Sequence, residues 1–169
     1  MDPSFDTRNS QAPSNDGTAL RKLQGMPSAM TGQLRTPDME TQLLDALQRK
    51  PVTSIGRYQV YTDISKEDTT TVFVHNPSGK EQHKYIIART SAHTFFVACP
   101  MSWTLLHRHL VARVMAVTDA TVYCPGGGFV SIGDKGDLLV EGESTDYGPG
   151  DHRRAKAALA AAVRNSGGD

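Results

Sequence analysis

Six histidines are the most obvious reactive side chains of this 169-residue chain, and two of them, His107 and His109, form an H-x-H pair. On a strand such a pair can share a metal ion. Here it falls inside a helical pattern, where residues i and i+2 point to different sides. No set of Cys, His and Asp has zinc-finger or zincin spacing, so neither a metal nor a cofactor is expected. His107 lies four residues after Trp103 and three before Leu110, at the edge of an apolar stripe. Periodicity alone favours a packed histidine satisfied by a backbone carbonyl. A general base or nucleophile is the competing reading, because histidine titrates near neutral pH and can be held on a helix.

Three other segments invite chemistry. Cys124 precedes Pro125-Gly126-Gly127-Gly128, but a cysteine phosphatase needs an arginine six residues on, and that position is Val130. A small buried cysteine at a strand end is expected instead. The glycine run has no Lys-Ser/Thr after it, and Ser131 stands where a dinucleotide fingerprint needs its last glycine. It reads as a tight strand connection with positive φ or close backbone approach. The segment Glu143-Ser144-Thr145-Asp146-Tyr147-Gly148-Pro149 joins a strand to a helix. Its hydroxyls and N–H groups can form an anion-binding nest; an ordinary capped turn is the simpler alternative.

These residues need elements to hold them. Residues 1–35 are rich in small and polar types without sustained periodicity, and are expected to be disordered. Thr36 and Pro37 open a helix over 36–50, with Met39, Leu43, Leu44 and Leu47 on the face expected to pack on the domain. From residue 51 to 169 the pattern is that of one domain. Arg57–Asp63, Thr70–His75, His83–Arg89 and Thr94–Ala98 read as strands. Ser102 caps a helix carrying Trp103, Leu106, Leu110, Val114 and Val117. Thr121–Cys124 is a strand stopped at Pro125. Phe129–Ile132 and Leu138–Val140 form a hairpin, and a helix from about Asp151 closes the chain. The fold class is α+β: a mostly antiparallel, mixed sheet of about six strands packed with two helices. Only the pairing across the central helix is a candidate for parallel geometry.

Composition narrows the function. With 18 Lys+Arg against 18 Asp+Glu, the chain offers no basic footprint for nucleic acid or an anionic membrane. No apolar run approaches a membrane span. The start lacks a secretory pattern, and two cysteines suit a reducing compartment, so a cytoplasmic protein is expected.

In combination, four segments resemble the Janus/Ocnus family, whose characterised members are protein phosphohistidine phosphatases. His83-Lys84-Tyr85-Ile86-Ile87 is similar to the family's Phe-Lys-Tyr-Val-Leu strand. Trp103 stands four residues before His107, as a Trp stands before the family's catalytic His. Cys124-Pro125-Gly126-Gly127-Gly128-Phe129-Val130-Ser131 resembles Cys-Leu-Gly-Gly-Gly-Arg-Ile-Ser. Gly142-Glu143-Ser144-Thr145-Asp146-Tyr147-Gly148-Pro149, with His152 beyond, resembles Gly-Tyr-Ser-x-x-Tyr-Gly-Pro and a nearby His. Order and spacing agree over about half of the chain.

The resemblance implies a metal-free phosphatase, acting as a monomer on phosphohistidine-containing proteins, with some reach to phospholysine. His107 would match the proton acceptor toward the attacking water and Lys84 the lysine on the phosphoryl group. Ser144, Thr145 and Asp146 would match the loop that cradles it, with the N–H of Arg108 as a further donor. The chain also departs from the pattern. Arg108-His109 replaces the common Ala-Asp, and Leu105 and Leu106 replace an acidic residue and a Tyr. Cys99 replaces an Arg, and Asp146 puts a carboxylate into a loop that tends to be small and neutral. These departures motivate an alternative, a catalytically inactive scaffold recruited through its N-terminal extension. Neutral overall charge also hides a pattern: Asp134, Asp137, Glu141, Glu143, Asp146 and Asp151 crowd around the proposed phosphate loop, against a single Lys135.

Overall fold

The computed structural model describes residues 37–77, 81–103 and 106–167; the extension over 1–35, Thr36 and Leu105 lie outside the described residues. Helix α1 (Pro37–Leu47) leads into strands β1 (Ser54–Ile55), β2 (Tyr58–Asp63), β3 (Thr69–His75), β4 (His83–Arg89) and β5 (Thr94–Pro100). A 3₁₀ turn (Met101–Trp103) precedes helix α2 (His107–Ala116). Strands β6 (Tyr123–Ile132) and β7 (Leu138–Glu141) and helix α3 (His152–Gly167) follow. Among the described residues, no helix is long and apolar enough to cross a membrane.

The seven strands form one sheet in the order β1-β2-β3-β5-β4-β6-β7. It is mixed, as expected, but its parallel pair lies elsewhere. Strand β5 inserts between β4 and β3, pairing antiparallel with β4 and parallel with β3. The chain crossing through α2 returns β6 to the free side of β4, antiparallel. Insertion of a hairpin strand thus creates the parallel register without a helical crossover.

Both faces of the sheet centre are covered, which is why β4 reads as a continuous apolar run rather than an alternating one. On one face Ile86, Ala88, Val72, Val74, Val97 and Cys99 meet Leu43, Leu44 and Leu47 of α1 and Leu110 and Val114 of α2. On the other, Phe73, Tyr85, Ile87, Phe96 and Val130 meet Ala155 and Leu159 of α3. Successive strand residues face opposite sides, so Lys84 shares the α2 face with Ile86, whereas His83 shares the α3 face with Tyr85. The Nδ1–H of His83 donates to the Val130 carbonyl at 3.2 Å. Its Nε2 is buried without a hydrogen-bond partner among the described residues, and burial pushes its pKa down to about 4. The far end of α3 reaches β2, where the Ser166 hydroxyl accepts from the Thr62 N–H at 2.9 Å and donates to the Thr62 carbonyl at 3.3 Å.

A buried ion pair ties α1 to α2. Arg113 is only 1% exposed. Its Nε donates to Glu40 Oε1 at 3.2 Å and its Nη2 lies 3.1 Å from the same oxygen. Its Nη1 donates to the His109 carbonyl at 2.8 Å, one turn back on α2. Periodicity located the apolar stripe of this helix but gave no sign of a buried cation beside it.

Two expected boundaries are corrected. Trp103 lies on the 3₁₀ turn rather than inside the helix, which starts at His107. The glycine run does not stop a strand: Thr121–Cys124 and Phe129–Ile132 belong to one region in which β6 runs through Pro125-Gly126-Gly127-Gly128. None of these three glycines has positive φ, so close approach explains them. A Cβ on Gly127 would come within 2.5 Å of the Tyr85 carbonyl oxygen and 3.0 Å of the His107 ring. One on Gly128 would come within 2.6 Å of the Glu141 carbonyl oxygen. Gly127→Ala is therefore expected to cost about 1–3 kcal/mol by overpacking, measurable as a lower urea midpoint; unchanged stability would show that β6 can retreat.

Candidate functional site

His107 is the first residue of α2, a position fixed by the 3₁₀ turn before it and by Leu110 and Val114 packed beneath. The glycine run lets its ring lie against β6, where Nε2 is 2.8 Å from the Gly128 carbonyl oxygen. A carbonyl can only accept, so Nε2 carries the proton and the lone pair is on Nδ1. Phe129 meets the same ring edge-on, with centroids 5.3 Å apart. The satisfied-histidine reading and the general-base reading are thus compatible, because the carbonyl bond fixes the tautomer that leaves one basic nitrogen.

Burial lowers the His107 pKa and the nearby Lys84 ammonium lowers it further, while the Gly128 hydrogen bond and the Asp146 carboxylate oppose them. The positive end of the α2 dipole works in the same direction as burial. Lys84, on the neighbouring strand β4, is itself buried. Burial lowers its pKa and Asp146 raises it, so Asp146 sits within electrostatic reach of both groups.

Leu106 is the N-cap residue of α2 and makes no side-chain cap. The third helical residue supplies the acceptor instead, with His109 Nδ1 taking the Leu106 N–H at 3.2 Å. That is one arm of a capping box, built here from a neutral imidazole. Protonation would destroy it, and burial with nearby cations, first Arg113, holds the His109 pKa down to about 4. Engaged in this way, His109 does not join His107 at a metal. Among the described residues no group of three or more potential ligands is assembled.

The loop expected to bind phosphate is a hydrogen-bonded turn. Ser144 and Gly148 exchange backbone bonds of 3.0 and 2.8 Å. The buried Ser144 hydroxyl accepts the N–H groups of Asp146 and Tyr147, each at 3.1 Å. Those four amides bond within the loop, which takes the form of the capped turn. Its product is a fixed place for Asp146, whose carboxylate is 3.8 Å from Arg108 Nη1. Thr145 is exposed beside it. His107, Lys84, Arg108 and Asp146 therefore converge, Ser144 supports them from below, and no contact among the described residues ties Thr145 to them. Burial pushes the Cys124 thiol up to about 12, which favours the neutral thiol over the thiolate.

The cluster sets the His107 imidazole beside a buried ammonium and an exposed guanidinium at the start of a helix whose third N–H bonds the Leu106 carbonyl at 3.0 Å. With the mixed sheet covered by helices on both faces, the chain is an α+β protein that gathers His107, Lys84, Arg108 and Asp146 at the N-terminus of α2. The sequence model of the Janus/Ocnus family (Ocnus) matches residues 58–166, from the first residue of β2 to the last turn of α3. The chain belongs to the Janus/Ocnus family. Comparison with curated proteins finds no match. Helix α1, with Glu40, lies outside the matched region. Phe129, against the His107 ring, occupies the place of the arginine in the family segment quoted above.

Proposed function

We propose that the chain is a protein phosphohistidine phosphatase. The observation that carries this reading is the tautomer of His107: Nε2–H is held by the Gly128 carbonyl, so Nδ1 is the base, beside Lys84 and the start of α2. In the reaction a water oxygen bonds to phosphorus while the P–N bond breaks. The electron pair leaves with the imidazole nitrogen, and the water proton passes to Nδ1. In this reading Lys84 and Arg108, through its backbone N–H and its guanidinium, balance charge on the phosphoryl oxygens, and Ser144 holds the loop beside them. This reading assigns no step to a metal. The substrates would be phosphohistidine-bearing cytoplasmic proteins, with phospholysine as a second class.

Hydrolysis of a phosphohistidine peptide tests it. His107→Ala and His107→Gln should each lower kcat/KM by about 10²–10⁴-fold, and Lys84→Ala should weaken turnover as well. The glutamine variant keeps a donor for Gly128, so its loss reports the missing base rather than a misplaced strand. Because the His107 pKa is lowered, the acid limb of kcat/KM should lie below pH 6.5. Activity that survives loss of His107 would sink the mechanism. A binding or scaffold role is the second reading, motivated by the Asp146 carboxylate already placed against Arg108. Absence of turnover, with no response of the His107 and Ser144 amides to added phosphate, would favour it.

A further inference from the structure

The cations at the candidate site do not face open solvent alone. Arg108 Nη1 is 3.8 Å from Asp146 Oδ1, and the same carboxylate acts on Lys84, His107 and His109. Its position is built rather than incidental, because two hydrogen bonds to the buried Ser144 hydroxyl fix the backbone on either side of it. Any phosphoryl group that enters must share Lys84 and Arg108 with this internal anion.

Charge arithmetic then separates substrate classes. Lys84 and Arg108 supply two positive charges, Asp146 one negative charge, and the two buried imidazoles none, so the site is singly positive. A phosphate monoester near neutral pH is a dianion and leaves one negative charge unmatched. A phosphoramidate protonated on its leaving nitrogen carries a net single negative charge and is matched. The leaving nitrogen also lies next to the phosphoryl group, where a carboxylate at the rim can face it.

We propose that Asp146 is a specificity-determining residue that favours N-phosphorylated side chains with a cationic leaving nitrogen over phosphate esters. This inference rests on the phosphatase reading above. In the selected reaction the protonated amine departs as a neutral amine with the electron pair of the P–N bond. Water supplies the new P–O bond; one of its protons stays on that oxygen and the other passes to His107. Free amine, the hydrogen phosphate dianion and the His107 imidazolium therefore balance the substrate, water and neutral His107. The imidazolium returns its proton to phosphate or solvent before the next turnover. Removing the Asp146 charge relieves the repulsion toward dianions and withdraws the partner of the cationic nitrogen.

The experiment compares kcat/KM for a phospholysine peptide and for an aryl phosphate monoester, in the full-length protein and in Asp146→Asn and Asp146→Ala. The ratio of phosphoramidate to ester turnover should fall by about tenfold in both variants, the size expected of one nearby charge in a partly exposed site. The fall should shrink at high salt, as a Coulombic effect must. An unchanged ratio with turnover intact overturns the selector role alone. A ratio that falls equally at low and high salt also overturns it, because the change is then not electrostatic. Absence of turnover on every phosphoramidate overturns the phosphatase reading and the selection together.

Discussion

Glu40→Ala should destabilise the protein by about 3–5 kcal/mol, the usual result of removing one partner from a buried ion pair. Arg113 would be left buried against α1 without its counter-charge, keeping the His109 carbonyl as its hydrogen-bond partner among the described residues. The pair is not perfectly satisfied even in the native state: Glu40 Oε2 and Arg113 Nη2 have no hydrogen-bond partner among the described residues. Burial raises the Glu40 pKa, opposed by Arg113, which marks desolvation as the dominant influence on that carboxyl. Replacing both partners, as Glu40→Met with Arg113→Met, should therefore recover most of the loss. Urea unfolding of the two single variants and the double variant gives the coupling directly. Additive losses would show that the two side chains do not act as a pair. A truncation beginning at residue 58, where the family match begins, should suffer at least as much as Glu40→Ala.

Acidification between about pH 6.5 and pH 4 should remove several kcal/mol of stability. Burial lowers the pKa values of His75, His83, His93, His107 and His109, two of them from 6.5 to about 4. In this window the unfolded chain binds more protons than the folded one, so stability rises with pH. The contribution is fully present above 6.5 and is lost as pH falls toward 4. A shift of that size is worth at most about 3 kcal/mol per residue, against the roughly 5–15 kcal/mol total of an ordinary domain. Glu40 works in the opposite sense, because a raised carboxyl pKa makes the folded state take up a proton more readily; it offsets only part of the loss. His83→Phe should shift the acid midpoint downward, since it removes the titrating group while keeping a ring among Phe73 and its neighbours. Stability that stays flat from pH 7 to pH 4.5, followed by Trp103 fluorescence and circular dichroism, would refute the prediction.

The strands of this fold are legible in the chain because β-branched and aromatic residues cluster between turn residues, and β2 to β5 fall close to their expected limits. What misled was β6. Pro125-Gly126-Gly127-Gly128 carries strong local break signals, yet these glycines answer crowding by Tyr85, Pro149 and Glu141, which no local pattern records. The parallel pairing of β3 with β5 was equally hidden, because it depends on where a hairpin inserts. At the site, His107 and Lys84 were visible as residues, but the basic nitrogen of His107 was not. It is set by a carbonyl 21 residues away. The Glu40–Arg113 pair joins positions 73 apart, one of them among the acids of a helix start, where an acidic residue needs no partner to be explained.

The sheet is finished at its margins in a way that bears on self-association. An unpaired strand edge is a template on which another chain can add. Here β1 is a two-residue margin and β7 a four-residue one that ends in Glu141. Beyond β1 the longer strand β2 would still offer Thr62, but the Ser166 hydroxyl occupies both its N–H and its carbonyl. One serine at the end of α3 thus takes the place that an intruding strand would need.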